Sequence, residues 1–397
     1  MPGRRFGFSL AAAVIALAAH ASSGASAASP VVVQATLDGE INSATATYIA
    51  QSVQRAESEH AQALLVNMNT PGGLSTSMDD MVTSLLNSRV PVVVYVTPVG
   101  ARADSAGLFV AQAADIIAMA PSTNIGSAHP ITAGGGNIGG ELEQKVVNDA
   151  VARIRNLASI HGRNADWCEK AVRKSDNIGV DQAVNLKPPV ADLQAKDVPS
   201  LLSAVEGREL PRPHGSPVTL HVSGATLEDY AMPLPLQLLQ LIINPNVAYL
   251  LLLVAIFGLI AEVTTPGAIL PGTVGGISAI LALLAFASLP VNLAGILLIL
   301  FAFVLFIIDL KAPTHGVLTI GGVISLVLGS LFLINTGAVG EGINLWLIVG
   351  AGLASAGFFG FVLSKAVSAR SSPVYDITAP PAPPVPPAPT GDKEEMR

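Results

Sequence analysis

Five apolar runs, residues 247–261, 263–289, 291–308, 316–334 and 343–363, occupy most of the last third of this chain. A helix that crosses a bilayer needs about 20 predominantly apolar residues, with a range of roughly 17–25. The last three runs fall in that range. The first two are divided by Glu262, and the second contains Pro266 and Pro271, so they read either as two spans or as a broken pair with a re-entrant turn. The favoured reading is five spans within a membrane domain at 247–365. Its orientation follows from charge. Lys311, Lys365 and Arg370 fall on one side, while the opposite loops near 289–292 and 335–343 hold no Lys or Arg, which places the tail inside. No convincing internal repeat is evident by eye.

The remainder is of a different character. The 397 residues are 51% hydrophobic and 12% charged, a balance that fits two unlike halves. The net charge of -7 argues against a nucleic-acid partner. A single cysteine, Cys168, excludes an intrachain disulfide and a cysteine-paired zinc site, and the scattered histidines suggest no metal centre. Residues 1–27 have a basic start, an apolar core and a small-residue end at Ala25-Ser26-Ala27, the pattern of a cleaved secretory signal. The rest of the first half, 28–230, is therefore expected outside the cytoplasm.

Within 28–230, "VVVQATL", "AQALLVNMN" and "VPVVVYVT" read as strands, with helical segments between them. That alternation implies βαβ units on a parallel sheet. "ITAGGGNIGG" (131–140) is expected to be a mobile loop. It precedes a helix whose period predicts Val147, Val151, Ile154 and Leu157 on the buried face. Residues 231–246 read as an amphipathic linker at the membrane surface, and 366–397 as an extended, disordered Pro-rich tail.

Ser105 lies in "GARADSAGLF", where a strand passes into a helix among small residues. A serine there is either a helix cap or a nucleophile backed by free helix N–H groups. Ala106 N–H, and Gly73 in "NTPGG" at the end of a parallel strand, are candidate oxyanion donors. Lys145 is the first lysine in the chain. Its place at a helix start, where the dipole disfavours a cation, suits a neutral amine base. The alternative is a solvated lysine beside Glu141 and Glu143. His129 is a rival base, with Asp176 as its orienter. No G-x-x-x-x-G-K-[ST] loop occurs, so ATP use is not expected, and no cofactor is implied.

"NTPGG", "GARADSAGLFVAQAADIIAMAPSTNIGSAHPI", the Lys145 helix ending in "HGRN", and "NPNVAYLLLLVAIFGLIAEVTTPGAILPG" together resemble the NfeD family of membrane-anchored serine proteases of the ClpP class. The resemblance spans about residues 30–365. It implies a ClpP/crotonase-like parallel-sheet domain followed by an α-helical transmembrane domain. It implies a dyad of Ser105 and Lys145, oxyanion donors at Gly73 and Ala106, apolar peptide substrates and a stomatin-like membrane partner. ClpP itself uses Ser-His-Asp, which keeps His129 and Asp176 in view. Arg102 and Asp104 depart from the family's alanine-rich turn. A catalytically silent scaffold for a stomatin-like protein is the alternative function, and homo-oligomerisation is left open.

Overall fold

Buried strands and amphipathic helices alternate from Val31 onward. β1 (Val31–Asp38), α1 (Ser43–Ser58), β2 (Ala63–Asn69), α2 (Ser75–Leu86) and β3 (Val92–Val96) follow one another. Next come β4 (Arg102–Asp104), α3 (Ala106–Gln112), β5 (Ile116–Met119), β6 (Asn124–Gly126), α4 (Gly140–Ile160) and α5 (Ala165–Lys174). β7 (Asn177–Gly179), α6 (Val180–Asn185), β8 (Leu193–Gln194), α7 (Val198–Val205), β9 (Glu209–Leu210), β10 (Val218–Thr219) and β11 (Thr226–Asp229) complete this part. The structure, a computed structural model, describes residues 29–131, 138–211, 217–264, 269–311, 314, 316–334 and 342–371. The expected signal segment, the core of the Gly-rich stretch expected to be a loop, and almost all of the Pro-rich tail lie outside these residues.

Six strands form one sheet in the order β11-β1-β2-β3-β5-β8, every pair parallel. β3 and β5 are buried throughout, which is why they read as continuous apolar runs instead of alternating ones. Leu64, Val66, Val94 and Ile117 face one core with α1, α2, α4 and α5. Leu65, Val93, Tyr95 and Ile116 face a second core with α7. α4 buries Val147, Val151, Ile154 and Leu157, the face its period predicts. A small second sheet, β4-β6-β7, pairs β4 with β6 in parallel and β6 with β7 antiparallel.

A buried cation ties the loops at one end of the main sheet. The side chain of Arg163 is fully buried and pairs with Asp192 at 2.8 Å. It also donates to the carbonyls of Gln112, Ala114 and Asp115 at 3.2, 2.9 and 3.0 Å. The end of α3 and the start of β5 are thereby held to the segment before β8.

The C-terminal helices are α8 (Leu234–Ile243), α9 (Pro245–Thr264), α10 (Ile269–Ser288), α11 (Leu293–Lys311), α12 (Val317–Leu333) and α13 (Leu345–Ser371). Residues 231–246 are mostly helix, packed against α1, α9 and α10. α9 and α10 are two helices, each long and apolar enough to cross a membrane by length and composition. The later runs give α11, α12 and α13, which are apolar along Leu293–Asp309, Val317–Leu333 and Leu345–Phe361. Asn caps start two of these inside the apolar runs: Asn292 accepts from Ala294 N and Asn344 from Trp346 N, both at 2.9 Å.

Contrary to the sequence reading, a repeat is present. Glu262 at the end of α9 accepts from Gly272 N at 3.3 Å near the start of α10. Asp309, 47 residues later, accepts from Thr319 N at 3.0 Å near the start of α12. A Cβ on Gly275 would lie 3.1 Å from the Ala255 carbonyl oxygen, and one on Gly322 would lie 3.1 Å from that of Ala302, again 47 residues on. The two hairpins thus share their small-residue contacts and their acid caps. Glu262 accordingly has a structural task, satisfying a helix start.

Candidate active site

The nucleophile candidate sits in an uncommon backbone conformation. Ser105, between β4 and α3, has φ 56° and ψ -120°, a region L-residues rarely adopt. Its N–H donates to the Gly126 carbonyl at 2.9 Å and its carbonyl accepts from Leu108 N at 3.1 Å. A helix cap has an extended backbone and a side-chain oxygen accepting from the first turn. Ser105 has neither, so the capping alternative fails. Its side chain is presented to a cleft of about 710 Å³.

The opposite wall is the twin-glycine turn. Gly72 N donates to Thr70 Oγ1 at 3.0 Å. A Cβ on Gly72 would lie 2.5 Å from Ser105 Cβ and 2.9 Å from its Oγ, so only glycine fits beside the nucleophile. Sequence reasoning missed Gly72. The doubled glycine was its signal, but which of the two faces the serine depends on pairing. Ile41 donates to the Gly72 carbonyl at 2.8 Å and accepts from Leu74 N at 2.9 Å. That pairing leaves the N–H and C=O of Gly73 on the far edge, and Gly73 lines the cleft with Ser105 and Ala106.

His129 also lines this cleft. Its Nδ1 lies 2.8 Å from the Val172 carbonyl, to which only an N–H can donate, and its Nε2 is 3.8 Å from Glu143 Oε1. The partner of that ring nitrogen is thus a backbone carbonyl. Among the described residues no hydrogen bond joins His129 to Asp176, whose own carbonyl accepts from Ser127 N at 2.9 Å. Lys145 is exposed on the second turn of α4 and is not among the cleft residues. Val146, Asp149, Ala150 and Arg153 make the cleft-facing stripe of that helix, and Lys145, four residues before Asp149, falls about 40° beyond its edge. Arg153, itself paired with Asp79 of α2 at 2.7 Å, is the cation that the cleft does contain. The described residues offer no cluster of His, Cys, Asp and Glu able to hold a metal.

Beside the nucleophile, Asp104 Oδ1 accepts from Asn177 Nδ2 at 2.6 Å and Asn124 Nδ2 at 3.1 Å, locking β4 to β6 and β7. Burial pushes the Asp104 carboxyl above its ordinary 3.8, against the pull of Asn177, Arg102 and Asn124. The unfolded carboxyl ionises first as pH rises, so stability is lost progressively from 3.8 to the higher folded value and stays lost above it. Asp104→Asn keeps the acceptor oxygen and does not titrate. Its melting-temperature advantage over wild type is expected to grow from about pH 4 to about pH 7. A difference that stays constant across that range would mean the carboxylate is well solvated.

Fold and site define a class: a parallel-sheet α/β domain presenting a serine at a strand-to-helix turn, joined to apolar helices. Comparison with known proteins narrows it. Residues 31–187 match the NfeD1b N-terminal domain and residues 246–365 the NfeD integral membrane domain. The membrane-bound protease PH1510 of Pyrococcus horikoshii is 35% identical over 349 residues, covering 85% of this chain and 78% of that protein. Membrane protein NfeD1b of Bacillus subtilis is 29% identical over 313 residues, 75% of this chain and 65% of that one. The chain belongs to the NfeD family and is a membrane protein. Among solved structures, the 1510-N membrane protease specific for a stomatin homolog from Pyrococcus horikoshii is 30% identical, covering 54% of this chain and 98% of that one with a TM-score of 0.47.

Proposed function

We propose that this protein is a membrane-anchored serine endopeptidase working without ATP, with Ser105 as nucleophile and Lys145 as general base. The observation that carries the reading is the uncapped Ser105 hydroxyl, held in a left-handed conformation against Gly72 in the cleft. In this mechanism Ser105 Oγ attacks the scissile carbonyl carbon while neutral Lys145 takes its proton. The N–H groups of Gly73 and Ala106 receive the oxyanion. The leaving amine departs with the proton, and water then cleaves the acyl-enzyme. Lys145 must approach Ser105 for this. Catalytic contacts are often long without substrate and tighten when it binds.

The α/β domain, residues 28–230, lies outside the cytoplasmic membrane in this reading, with five helices crossing and the tail inside. The shared ends of the two hairpins support it, since Glu262 and Asp309 mark the same side. A stomatin-like membrane protein is the partner that the family resemblance implies.

One observation favours a second base: His129 lines the cleft and Lys145 does not. Fluorophosphonate labelling of the full chain in nanodiscs, from about pH 6 to about pH 10, separates the two. Loss of labelling in Lys145→Ala with retention in His129→Ala is the expected result, and the reverse assigns the base to His129. A folded wild type that does not label at all would favour the silent scaffold.

A further inference from the structure

α8 is uncharged, and both its faces are apolar. Leu236 packs on the α/β core, while Leu239, Ile242 and Ile243 pack into the cluster formed by the C-terminal helices. On the other side, Leu234, Leu238 and Leu241 follow one another at four and three residues, which makes one stripe. They are 65%, 50% and 55% exposed. Gln237, on the same side, spends its amide on the Met232 carbonyl. An uncovered stripe of three leucines marks an interaction surface.

The neighbours of α8 say what covers it. Only Asn244 separates it from α9, which is long and apolar enough to cross a membrane. Asn344 N, before α13, donates to Asn246 Oδ1 at 2.7 Å. Trp346, two residues further on, is 82% exposed, as an aromatic at the lipid–water boundary would be. These groups sit at one level, and α8 ends there.

α8 is also joined rigidly to the cleft. Tyr230, just before it, donates its N–H to the Gln34 carbonyl of β1 at 2.8 Å, and its own carbonyl accepts from Tyr48 Oη at 2.5 Å. Ala44 of α1 is fully buried in the same cluster as Ile243, Ala248 and Tyr249. Three residues earlier, Ile41 pairs with Gly73 on the cleft wall. Three residues of chain reach at most about 10 Å.

We propose that α8 lies in the headgroup–acyl boundary with the Leu234, Leu238 and Leu241 stripe in lipid, and so fixes the Ser105 cleft at a short height above the bilayer. The bonds cut are then those of a membrane-anchored substrate within a few residues of where it leaves the lipid. This second part rests on the protease reading; the placement of α8 does not.

The test uses the full chain in phosphatidylcholine–phosphatidylglycerol nanodiscs. Leu238→Cys carries a nitroxide, with Ser203→Cys on the exposed side of α7 as the reference for water. Cys168 is buried and its thiol is pushed up to about 12 by that burial, so it stays unlabelled. Relaxation at position 238 by oxygen, with little by a water-soluble nickel chelate, is the expected result. Nickel access equal to that at position 203 would overturn the placement. Peptides anchored by a transmembrane segment, with spacers of about 5 or about 30 residues, then test the height. The short spacer should be cut about tenfold faster, as local concentration falls with the -3/2 power of length. Equal rates would overturn the height selection. No cleavage of either, with position 238 in lipid, would sink the protease reading and leave α8 where it is placed.

Discussion

Ser105→Gly is expected to raise the melting temperature while abolishing acyl transfer. At φ 56° and ψ -120° a side chain is strained, and such strain costs of order 1–3 kcal/mol. Glycine adopts this conformation freely, although its greater freedom in the unfolded chain takes back about 0.5–1 kcal/mol. Among the described residues the hydroxyl makes no capping bond that would be lost in exchange. The net gain is about 1 kcal/mol, or about 2–4 °C for a domain near 200 residues. Loss of a serine nucleophile lowers turnover by about 10⁴–10⁶-fold. Ser105→Ala should lose as much activity without the gain in stability, because alanine keeps the Cβ that strains the turn. Scanning calorimetry of both variants beside fluorophosphonate labelling checks this. A Gly variant that melts below Ser105→Ala would show that the turn is held without strain. The combination matters for function. Together the two results would support the proposed role of the Ser105 hydroxyl as nucleophile.

The α/β half was legible in the sequence because strands buried on both faces have nowhere to put polar residues. "VVVYV" could be little else, whereas "IIAM", buried just as fully, was not read as a strand. Ser105 was legible because small residues had to surround it. Gly72 was not, since its contact with Ser105 is set by the pairing of Ile41 with Gly73, a distant register that local spacing does not encode. Lys145 was suggested by its chemistry, as the first lysine in the chain, yet the phase of α4 turns it just off the cleft stripe that Val146 and Asp149 occupy. The repeat in the apolar helices was hidden for a different reason. Only caps and close helix contacts constrain residue identity there, so Glu262 and Asp309 match in role while most positions around them do not. Polar punctuation, more than apolar composition, carries the architecture of that half.

Arg163→Met is expected to destabilise the α/β domain by about 3–5 kcal/mol, the usual cost of removing one partner of a buried ion pair. The arginine side chain is fully buried and Asp192 is nearly so. Without it, Asp192 keeps a bond from Ile117 N at 2.7 Å and a long one from Arg208 at 3.3 Å, and a carboxylate stays buried with too little charge opposite it. The carbonyls of Gln112, Ala114 and Asp115 lose their donor as well. Adding Asp192→Asn removes the stranded charge, so the double variant should be more stable than Arg163→Met alone, and thermal melts of the two singles and the double measure that coupling. A further effect follows from where the guanidinium sits. Gln112 is the last residue of α3, and Ser105 lies at the other end of that short helix. A cation at the C-terminal carbonyls both satisfies them and holds the helix in place. Labelling of Ser105, normalised to the folded fraction, should therefore slow in Arg163→Met and stay slow in the double variant, where the charge imbalance is gone but the carbonyls are still without their donor. Full recovery of labelling in the double variant would mean that the arginine acts only through Asp192, and that the nucleophile helix keeps its position without the clamp.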